Sequence, residues 1–134
     1  MSTFIRHGQK NRGKGAAEIL TIDELNNISI TQGDNFTLPL LAYKDENKIE
    51  PYILAEGERF ILSVRVIAGS EPVITKETAT QDSEGGFSFE FSPEETAELK
   101  RAEYVYDVAL ANESGTLRNT FLGGEEEKRL FRVV

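Results

Sequence analysis

Apolar and polar residues alternate along most of this chain, in short runs separated by turn-forming residues. A period of two is typical of β-strands that direct one face toward a core and the other toward solvent. Glycine, proline, asparagine and aspartate fill many of the gaps, as expected of turns. The pattern predicts about seven to eight short strands. The runs lie at residues 28–31, 36–40, 59–67, 73–78, 87–91, 104–110, 116–122 and 128–134.

The phase of each run predicts which side chains form the core. Ser63 and Arg65 have the opposite phase and are expected to point outward. Asp107 also lies opposite the core phase and is expected to be exposed or hydrogen-bonded to a neighbouring loop. Tyr43 and Tyr52 lie near loop ends and are predicted to make surface contacts. The residues predicted to face inward are Phe36, Leu38, Leu40, Phe60, Leu62, Val64, Val66, Phe87, Phe89, Phe91, Tyr104, Tyr106, Val108, Leu110, Phe131 and Val133.

Pro39 lies inside the alternating run at residues 36–40. Proline has no N–H group to donate to a neighbouring strand. The sequence therefore predicts that this strand lies at a sheet edge or carries a bulge at Pro39.

A helix start is encoded directly after the run at residues 87–91. Ser92 is followed by Pro93, and Glu95 lies three residues after the serine. This is the pattern of a capping box, in which the serine hydroxyl and the glutamate carboxylate each accept a hydrogen bond from the other's backbone N–H. Thr96 and Leu99 are three residues apart and share one helix face. We expect one short helix near residues 93–100.

The chain divides into three parts of different character. Its 134 residues are typical of a single domain with a core large enough to need no disulfide. Residues 28–134 carry the strand pattern and are predicted to form the domain. Residues 16–27 are a lead-in segment whose apolar spacing fits either a short helix or an extended strand. Residues 1–15 are glycine-rich, basic and aperiodic, which predicts a flexible N-terminal arm.

Charge is distributed unevenly between these parts. The chain as a whole carries a formal −8, whereas residues 1–15 contain four cations and no acid, so the remainder carries −12. An acidic body argues against nucleic-acid binding, which relies on clustered basic residues. The arm is instead expected to dock on an acidic surface of a partner or of a neighbouring copy. The predicted contact residues are Arg6, Lys10, Arg12 and Lys14.

Residues capable of catalysis or metal binding are sparse. The chain has no cysteine, and its one histidine, His7, lies in the predicted arm, where nothing holds it rigidly. The acidic clusters at residues 23–24 and 125–127 lack the alternating spacing of a calcium loop. The glycines around Lys14 do not form a phosphate-binding loop. The sequence therefore predicts a non-enzyme with no cofactor, no metal and no small-molecule substrate.

Membrane insertion and secretion are not expected. No apolar run approaches the ~20 residues of a membrane span. The basic N-terminus is not followed by the apolar stretch of a signal peptide. Residence in the cytoplasm is the expectation.

The segment SPEETA, followed by a strand with two tyrosines, resembles the corner before strand F of immunoglobulin folds. In those folds a tyrosine hydroxyl binds back to the chain a few residues upstream. The resemblance implies this role for Tyr104 or Tyr106. The chain departs from antibody domains in having no cysteine pair and no tryptophan. The fold expected is an all-β, immunoglobulin-like antiparallel β-sandwich.

A longer series of motifs is more specific. It runs ITQGDNFTLPL, LAEGERFILSVRV, GGFSFEFSPEETAEL, YVYDVAL, ESGTLRNTF and FRVV. This series, over residues 28–134, resembles the immunoglobulin-like domains of tailed-bacteriophage and prophage structural proteins, in particular the N-terminal domain of the baseplate upper protein family. The resemblance implies a structural protein of a tail, baseplate or head–tail complex, assembled in the bacterial cytoplasm and carried in the virion.

The resemblance also implies the kind of partner. We expect contacts with other virion proteins, including copies of this chain, through sheet edges, loops and the basic arm. Removing residues 1–15 is expected to weaken assembly, most of all at low salt, where charges are least screened. The alternative function is a carbohydrate- or cell-surface-binding module, which usually requires exposed aromatic side chains.

Overall fold

A computed structural model describes residues 5–7, 20–23, 25–45, 47–123 and 128–134, with only the backbone described at residues 6, 7, 20, 21 and 117–119. Over these ranges the chain forms strands and one short helix, α1, Pro93–Ala97. The strands are β1, Ile5–His7; β2, Leu20–Ile22; β3, Ile28–Ile30; β4, Phe36–Ala42; β5, Arg59–Arg65; β6, Pro72–Thr78; β7, Gly86–Phe91; β8, Ala102–Ala111; β9, Leu117–Leu122; and β10, Arg129–Val133.

The strands form two sheets. The smaller sheet has the order β1-β4-β7 and is antiparallel throughout. The larger sheet has the order β2-β3-β10-β8-β5-β6, and β9 also pairs with β8. β10 and β9 pair with successive parts of β8, on the side opposite β5.

This arrangement confirms the predicted all-β sandwich with one short helix, with one departure from purely antiparallel pairing. β3 pairs with β10 in parallel. β3 lies between β2, its antiparallel neighbour, and the last strand, β10, which runs in the same direction as β3.

Aromatic rings fill the space between the sheets. Phe36 stacks on Phe91 with ring centroids 4.5 Å apart, and Phe60 stacks on Phe87 at 4.2 Å. Apart from Val66, every residue predicted to face inward is buried. Val66 is 55% exposed because β5 ends at Arg65 and the chain turns away from the core.

Four side chains predicted to lie at the surface do not behave as expected. Tyr43 is only 7% exposed, and Tyr52 packs edge-on against Phe60 and Phe121, so both lie against the core. Ser63 is buried although it has the outward phase. Asp107 is half-buried and pairs with Arg65 of the adjacent strand, at 3.0 Å, rather than with a loop.

The helix begins as predicted but is shorter. The Ser92 hydroxyl accepts a hydrogen bond from the Glu95 N–H at 3.1 Å, and the Glu95 carboxylate accepts one from the Ser92 N–H at 2.9 Å. The helix ends at Ala97 rather than near residue 100. It stops there because Leu99 turns into the core and the chain must reach β8 by residue 102.

Two tyrosines of β8 tie distant parts of the chain together. The Tyr104 hydroxyl donates to the Lys100 carbonyl at 3.1 Å, which is the upstream bond expected of an immunoglobulin tyrosine corner. The Tyr106 hydroxyl donates to the Asn26 carbonyl at 2.5 Å, and Asn26 Nδ2 donates to the Ile5 carbonyl at 3.2 Å. Asn26 therefore connects β8 of the larger sheet to β1 of the smaller one. Burial raises the pKa of Tyr106 above its ordinary value, which keeps the hydroxyl a donor.

The N-terminal segment is partly structured. Residues 5–7, inside the predicted flexible arm, form β1 and pair with β4, and Ile5 is completely buried. At these three residues the prediction of a flexible arm is wrong, because Ile5 supplies enough apolar surface to join the core. In the lead-in segment, residues 20–22 are extended and pair with β3 rather than forming a helix.

Pro39 lies in a central strand with regular pairing. β4 lies between β1 and β7 rather than at a sheet edge, and no bulge separates Pro39 from its partner Ser88. The prediction of an edge strand or a bulge is therefore wrong. Proline is tolerated because, within the described residues, the β1 pairing stops at Leu40 and leaves that side of Pro39 without a ladder partner.

Within the described ranges no helix is long and apolar enough to cross a membrane.

Candidate interaction surface

One side of the sandwich is open, and two edge strands lie there. Among the described residues, β6 pairs only with β5, and β7 pairs only with β4. The two edges are close together, since Lys76 Nζ of β6 lies 5.3 Å from the centre of the Phe91 ring of β7. A free edge exposes backbone N–H and C=O groups that another strand can use, so this side is the strongest candidate for an interaction surface.

The β6 edge carries features that discourage strand pairing. The strand begins with Pro72, and its inner face places the charged Lys76 between Ile74 and Thr78. The Lys76 side chain is about one-fifth exposed, and its ammonium binds the Glu95 carboxylate at 2.5 Å. Proline and inward-pointing charges are the devices that proteins use to protect edge strands. We therefore expect β6 to be a poor strand acceptor.

The β7 edge lacks these devices. Its sequence GFSFEF contains no proline and no lysine. Phe87, Phe89 and Phe91 are buried against the core, whereas Ser88 and Glu90 lie on the outer face. β7 is thus firmly anchored by its inner face while its edge stays unprotected.

Hydrogen bonding to β4 determines which backbone groups of β7 face the open side. The Ala42 N–H donates to the Gly85 carbonyl, so the even-numbered residues of β4 direct their backbone groups toward β7. Their partners Phe87, Phe89 and Phe91 must point back toward β4. Ser88 and Glu90 therefore direct their N–H and C=O groups away from the sheet.

Both ends of this edge are already satisfied. At one end, the Gly86 N–H donates to the Asp82 carboxylate and the Gly86 carbonyl accepts from the Asp82 N–H, both at 2.8 Å. At the other end, the Ser92 N–H donates to Glu95, and the Ser92 carbonyl accepts from the Thr96 N–H at 3.1 Å. No hydrogen bond within the described part of the chain uses the remaining four groups, which belong to Ser88 and Glu90.

Two shallow hollows give access to this edge. One, of about 590 Å³, lies beside the first half of β7, and the other, of about 490 Å³, lies beside its second half. The first is lined by Pro39, Leu40, Leu41, Thr78, Thr80, Gln81, Asp82, Glu84, Gly86, Phe87 and Ser88. The second is lined by Asn35, Phe36, Thr37, Lys76, Glu90, Phe91, Ser92, Pro93 and Glu95.

A separate apolar groove lies between β6 and α1. It has a volume of about 390 Å³ and is lined by Val66, Val73, Ile74, Glu95, Glu98, Leu99, Lys100 and Tyr104. Val66, Ile67 and Val73 are 55%, 64% and 47% exposed, which makes this corner the most apolar part of the open side. Such a patch is typical of a protein-contact surface.

Glu95 accepts hydrogen bonds from two elements of the open side, the Lys76 side chain of β6 and the Ser92 backbone at the end of β7. The hydrogen bond from the Lys76 side chain, followed by the one from the Ser92 backbone, lowers the pKa of Glu95 below its ordinary value. Glu95 thus remains a carboxylate at neutral pH and holds the helix start, the β6 lysine and the end of β7 together.

The site residues predicted from the sequence fall mostly outside this surface. Arg6 lies in β1 opposite Leu41, and its side chain is not among those described. Lys10, Arg12 and Lys14 lie outside the described residues, as do Glu24 and the glutamates at 125–127. His7 forms part of β1, paired with Leu40. Across the ranges that the structure covers, no group of three acidic or histidine side chains is placed to hold a metal ion.

The aromatic side chains bear on the carbohydrate-binding alternative. Every described phenylalanine and tyrosine is buried except Tyr52. Tyr52 is half-buried, and its hydroxyl is committed to Glu58 at 2.7 Å. The described surface therefore offers no exposed ring on which a sugar could stack.

No protein-family model matches this chain, and no curated protein is significantly similar to it.

Ser88 and Glu90 are not among the functional residues predicted from the sequence. The FSFEF alternation already indicated that both point outward, and the capping box already indicated that Ser92 is satisfied. The missing information was that β7 lies at a sheet edge. The chain leaves β6 at the edge of the larger sheet, crosses the sandwich, and enters β7 at the edge of the smaller sheet. That connection has no local sequence signal.

Proposed function

We propose that this protein is a non-enzymatic assembly module of a tailed phage or prophage particle, in a tail, baseplate or head–tail complex. The proposal rests on the ordered series of motifs that resembles the immunoglobulin-like baseplate domain and on the open side of the sandwich. A rigid sandwich that offers an unprotected strand edge beside an apolar corner is suited to contact with neighbouring subunits.

The observation that carries the proposal is the unsatisfied edge of β7. Both ends of the strand are closed by Asp82 and by the capping box, while Ser88 and Glu90 keep four backbone groups for a partner. Edge strands are usually blunted in proteins that stay alone. The combination of a blunted β6 and an open β7 directs assembly to one strand.

The proposal is tested by asking whether the protein enters particles. A tagged copy is expressed in a bacterium that produces the particles, and the particles are purified by sedimentation and probed for the tag. We expect the tag to sediment with the particles in several copies each. The matched control is the same tagged protein added after lysis, which measures passive adsorption. A tag that remains in the unsedimented fraction while particles form normally overturns the proposal.

The basic arm is tested by charge rather than by truncation. Deleting residues 1–15 would also remove buried Ile5, so a loss of assembly would have two explanations. Replacing the four arm cations with neutral residues keeps Ile5 in place. Replacing four exposed cations of the sandwich instead is the control, because it changes the net charge by the same amount. The two sets are Arg6, Lys10, Arg12 and Lys14, and Lys44, Arg101, Lys128 and Arg132, each changed to Gln.

We expect the arm set alone to weaken incorporation into particles, and to do so most at low salt, because ionic screening is weakest there. Equal losses from both sets would show that net charge matters and that the arm makes no specific contact.

A further inference from the structure

We propose that β7 is a self-complementary strand, and that two copies of this protein pair edge to edge through it, antiparallel and centred on Phe89. The inference deepens the proposed function. That the pairing is used in an assembly rests on the proposed function. The pairing itself follows from the backbone geometry of the strand and is tested separately.

The number and position of the free backbone groups fit a second copy. In an antiparallel pair centred on Phe89, Ser88 lies opposite the partner's Glu90, and Glu90 lies opposite the partner's Ser88. Residues that face the edge exchange both of their hydrogen bonds in such a pair. Two exchanges give four hydrogen bonds, which use every free N–H and C=O group at this edge in both copies.

Other registers leave groups unsatisfied or oppose charges. Centring on Ser88 would pair Glu90 with the partner's Gly86, whose backbone groups are already taken by Asp82. Centring on Glu90 would place two carboxylates directly opposite each other and would require Ser92, which is held by the capping box. A shift by one residue would reverse the faces of the strand. Only the Phe89-centred register satisfies all four groups.

The side chains are compatible with the same register. On the inner face, Phe87 lies opposite the partner's Phe91, which gives the aromatic cross-strand pairs that favour strand association. On the outer face, each Glu90 lies opposite a serine. The two glutamates are then diagonal neighbours, about 7–8 Å apart. This distance is close to the screening length at physiological salt, so their repulsion is weak.

The first experiment measures mass against concentration. Sedimentation of the full chain is expected to show a monomer–dimer equilibrium. Replacement Ser88→Pro should weaken dimerisation about tenfold or more, because it removes an edge N–H in each copy and with it two of the four hydrogen bonds. The fold should survive, since the Ser88 N–H does not serve the β4 ladder and proline is tolerated on an edge. Circular dichroism and thermal unfolding check the fold.

The second experiment tests the register through charge. Ser88→Glu places a glutamate opposite each of the two Glu90 residues and should weaken dimerisation about fivefold. Ser88→Lys places a lysine there and should strengthen it by a similar factor. The double variant Ser88→Glu with Glu90→Lys restores opposite charges and should recover dimerisation. Thr116→Glu and Thr116→Lys, at an exposed position before β9, control for net charge.

Hydrogen exchange gives a third, local measurement. The amides of Ser88 and Glu90 should become protected as the protein concentration rises, while the odd-numbered amides of β7 are protected at every concentration. Protection that does not depend on concentration at Ser88 and Glu90 contradicts the pairing.

The outcomes separate this inference from the proposed function. A wild-type protein that stays monomeric at every concentration overturns self-pairing and leaves the edge to a strand of another protein. A dimer that persists in Ser88→Pro, or that responds equally to glutamate and lysine at position 88, assigns dimerisation to another surface and overturns the inference. Incorporation into particles would stand in either case, because it is measured on the tagged chain independently of dimerisation.

Discussion

The two edge strands on the open side of the sandwich, β6 and β7, differ in how they are protected. β6 starts with Pro72 and points Lys76 inward, where the ammonium binds Glu95. β7 has no charged residue on its inner face, and all three of its inner side chains are phenylalanines packed in the core. One strand is loosely anchored and protected, and the other is firmly anchored and open.

This difference indicates how a small sandwich can offer a single edge for pairing. Exposed edges generally risk indiscriminate association, so proteins blunt those that are not used. Here the lysine that blunts β6 reaches the helix that closes the end of β7, so one ion pair serves both purposes. The length of the usable β7 edge is set at one end by Asp82 and at the other by Ser92 and Glu95.

The largest expected effect tests how firmly each strand is anchored. Phe91→Ala removes a ring stacked on Phe36 and should lower the free energy of unfolding by about 3–5 kcal/mol. Ile74→Ala, its counterpart on β6, removes a half-buried side chain and should cost about 1–2 kcal/mol. Urea unfolding of both variants measures the difference. Equal losses would contradict the claim that β7 is the better anchored edge.

The next effect concerns the closed end of β7. Ser92→Ala removes the hydroxyl that caps α1 and should cost about 1 kcal/mol in thermal or urea unfolding. Ser88→Ala is the matched control, because the Ser88 hydroxyl makes no hydrogen bond within the described residues. If the two alanine variants are equally stable, the capping box does not hold this end of the strand.

A smaller effect should depend on pH. Glu95→Gln keeps an oxygen for the Ser92 N–H but removes the charge that binds Lys76, and should cost about 0.5 kcal/mol at pH 7. The folded-state pKa of Glu95 is lowered, so its stabilisation is present above the ordinary value near 4.5 and is lost as the pH falls through the folded pKa. The difference between variant and wild type should therefore vanish in acid. Glu94→Gln, at an exposed neighbour, is the matched control for the loss of one negative charge.

The last comparison removes the protection of β6, and it is measured by association rather than by stability. Lys76→Ile, made in the Ser88→Pro background so that β7 is blocked, should leave monomer stability within about 1 kcal/mol of the Ser88→Pro parent. It should nevertheless create concentration-dependent association through β6, visible by light scattering. A double variant that stays as monomeric as Ser88→Pro alone would show that Lys76 is not what protects this edge.

The sequence predicted much of the fold because its signals are local. The alternation of residues 87–91 and the Ser92–Glu95 capping box depend only on neighbouring side chains, and both are confirmed. The Tyr104 hydrogen bond to Lys100 spans four residues and was anticipated by the resemblance to immunoglobulin folds. The alternation predicts that β5 continues past Val66, but the strand ends at Arg65. The pairing of β5 with β6 determines where the chain turns, and periodicity does not indicate it.

The candidate site was less predictable. Charge alone predicts the four arm cations as contact residues, whereas the surface that carries the proposal is made by Ser88 and Glu90. Both residues were placed correctly on the outward face of a strand. That their backbone groups face solvent depends on the position of β7 in the sheet, which a single strand does not encode.

The sequence by itself determined the strands, their inward faces, the helix start and the imbalance of charge, because each depends on residues within a few positions of one another. The tertiary structure alone decided that β3 pairs in parallel with β10, that Asn26 links β8 to β1, and that β7 lies at a sheet edge among the described residues. These features join residues far apart in the chain. They are fixed by the fit between two packed sheets, which no local pattern specifies.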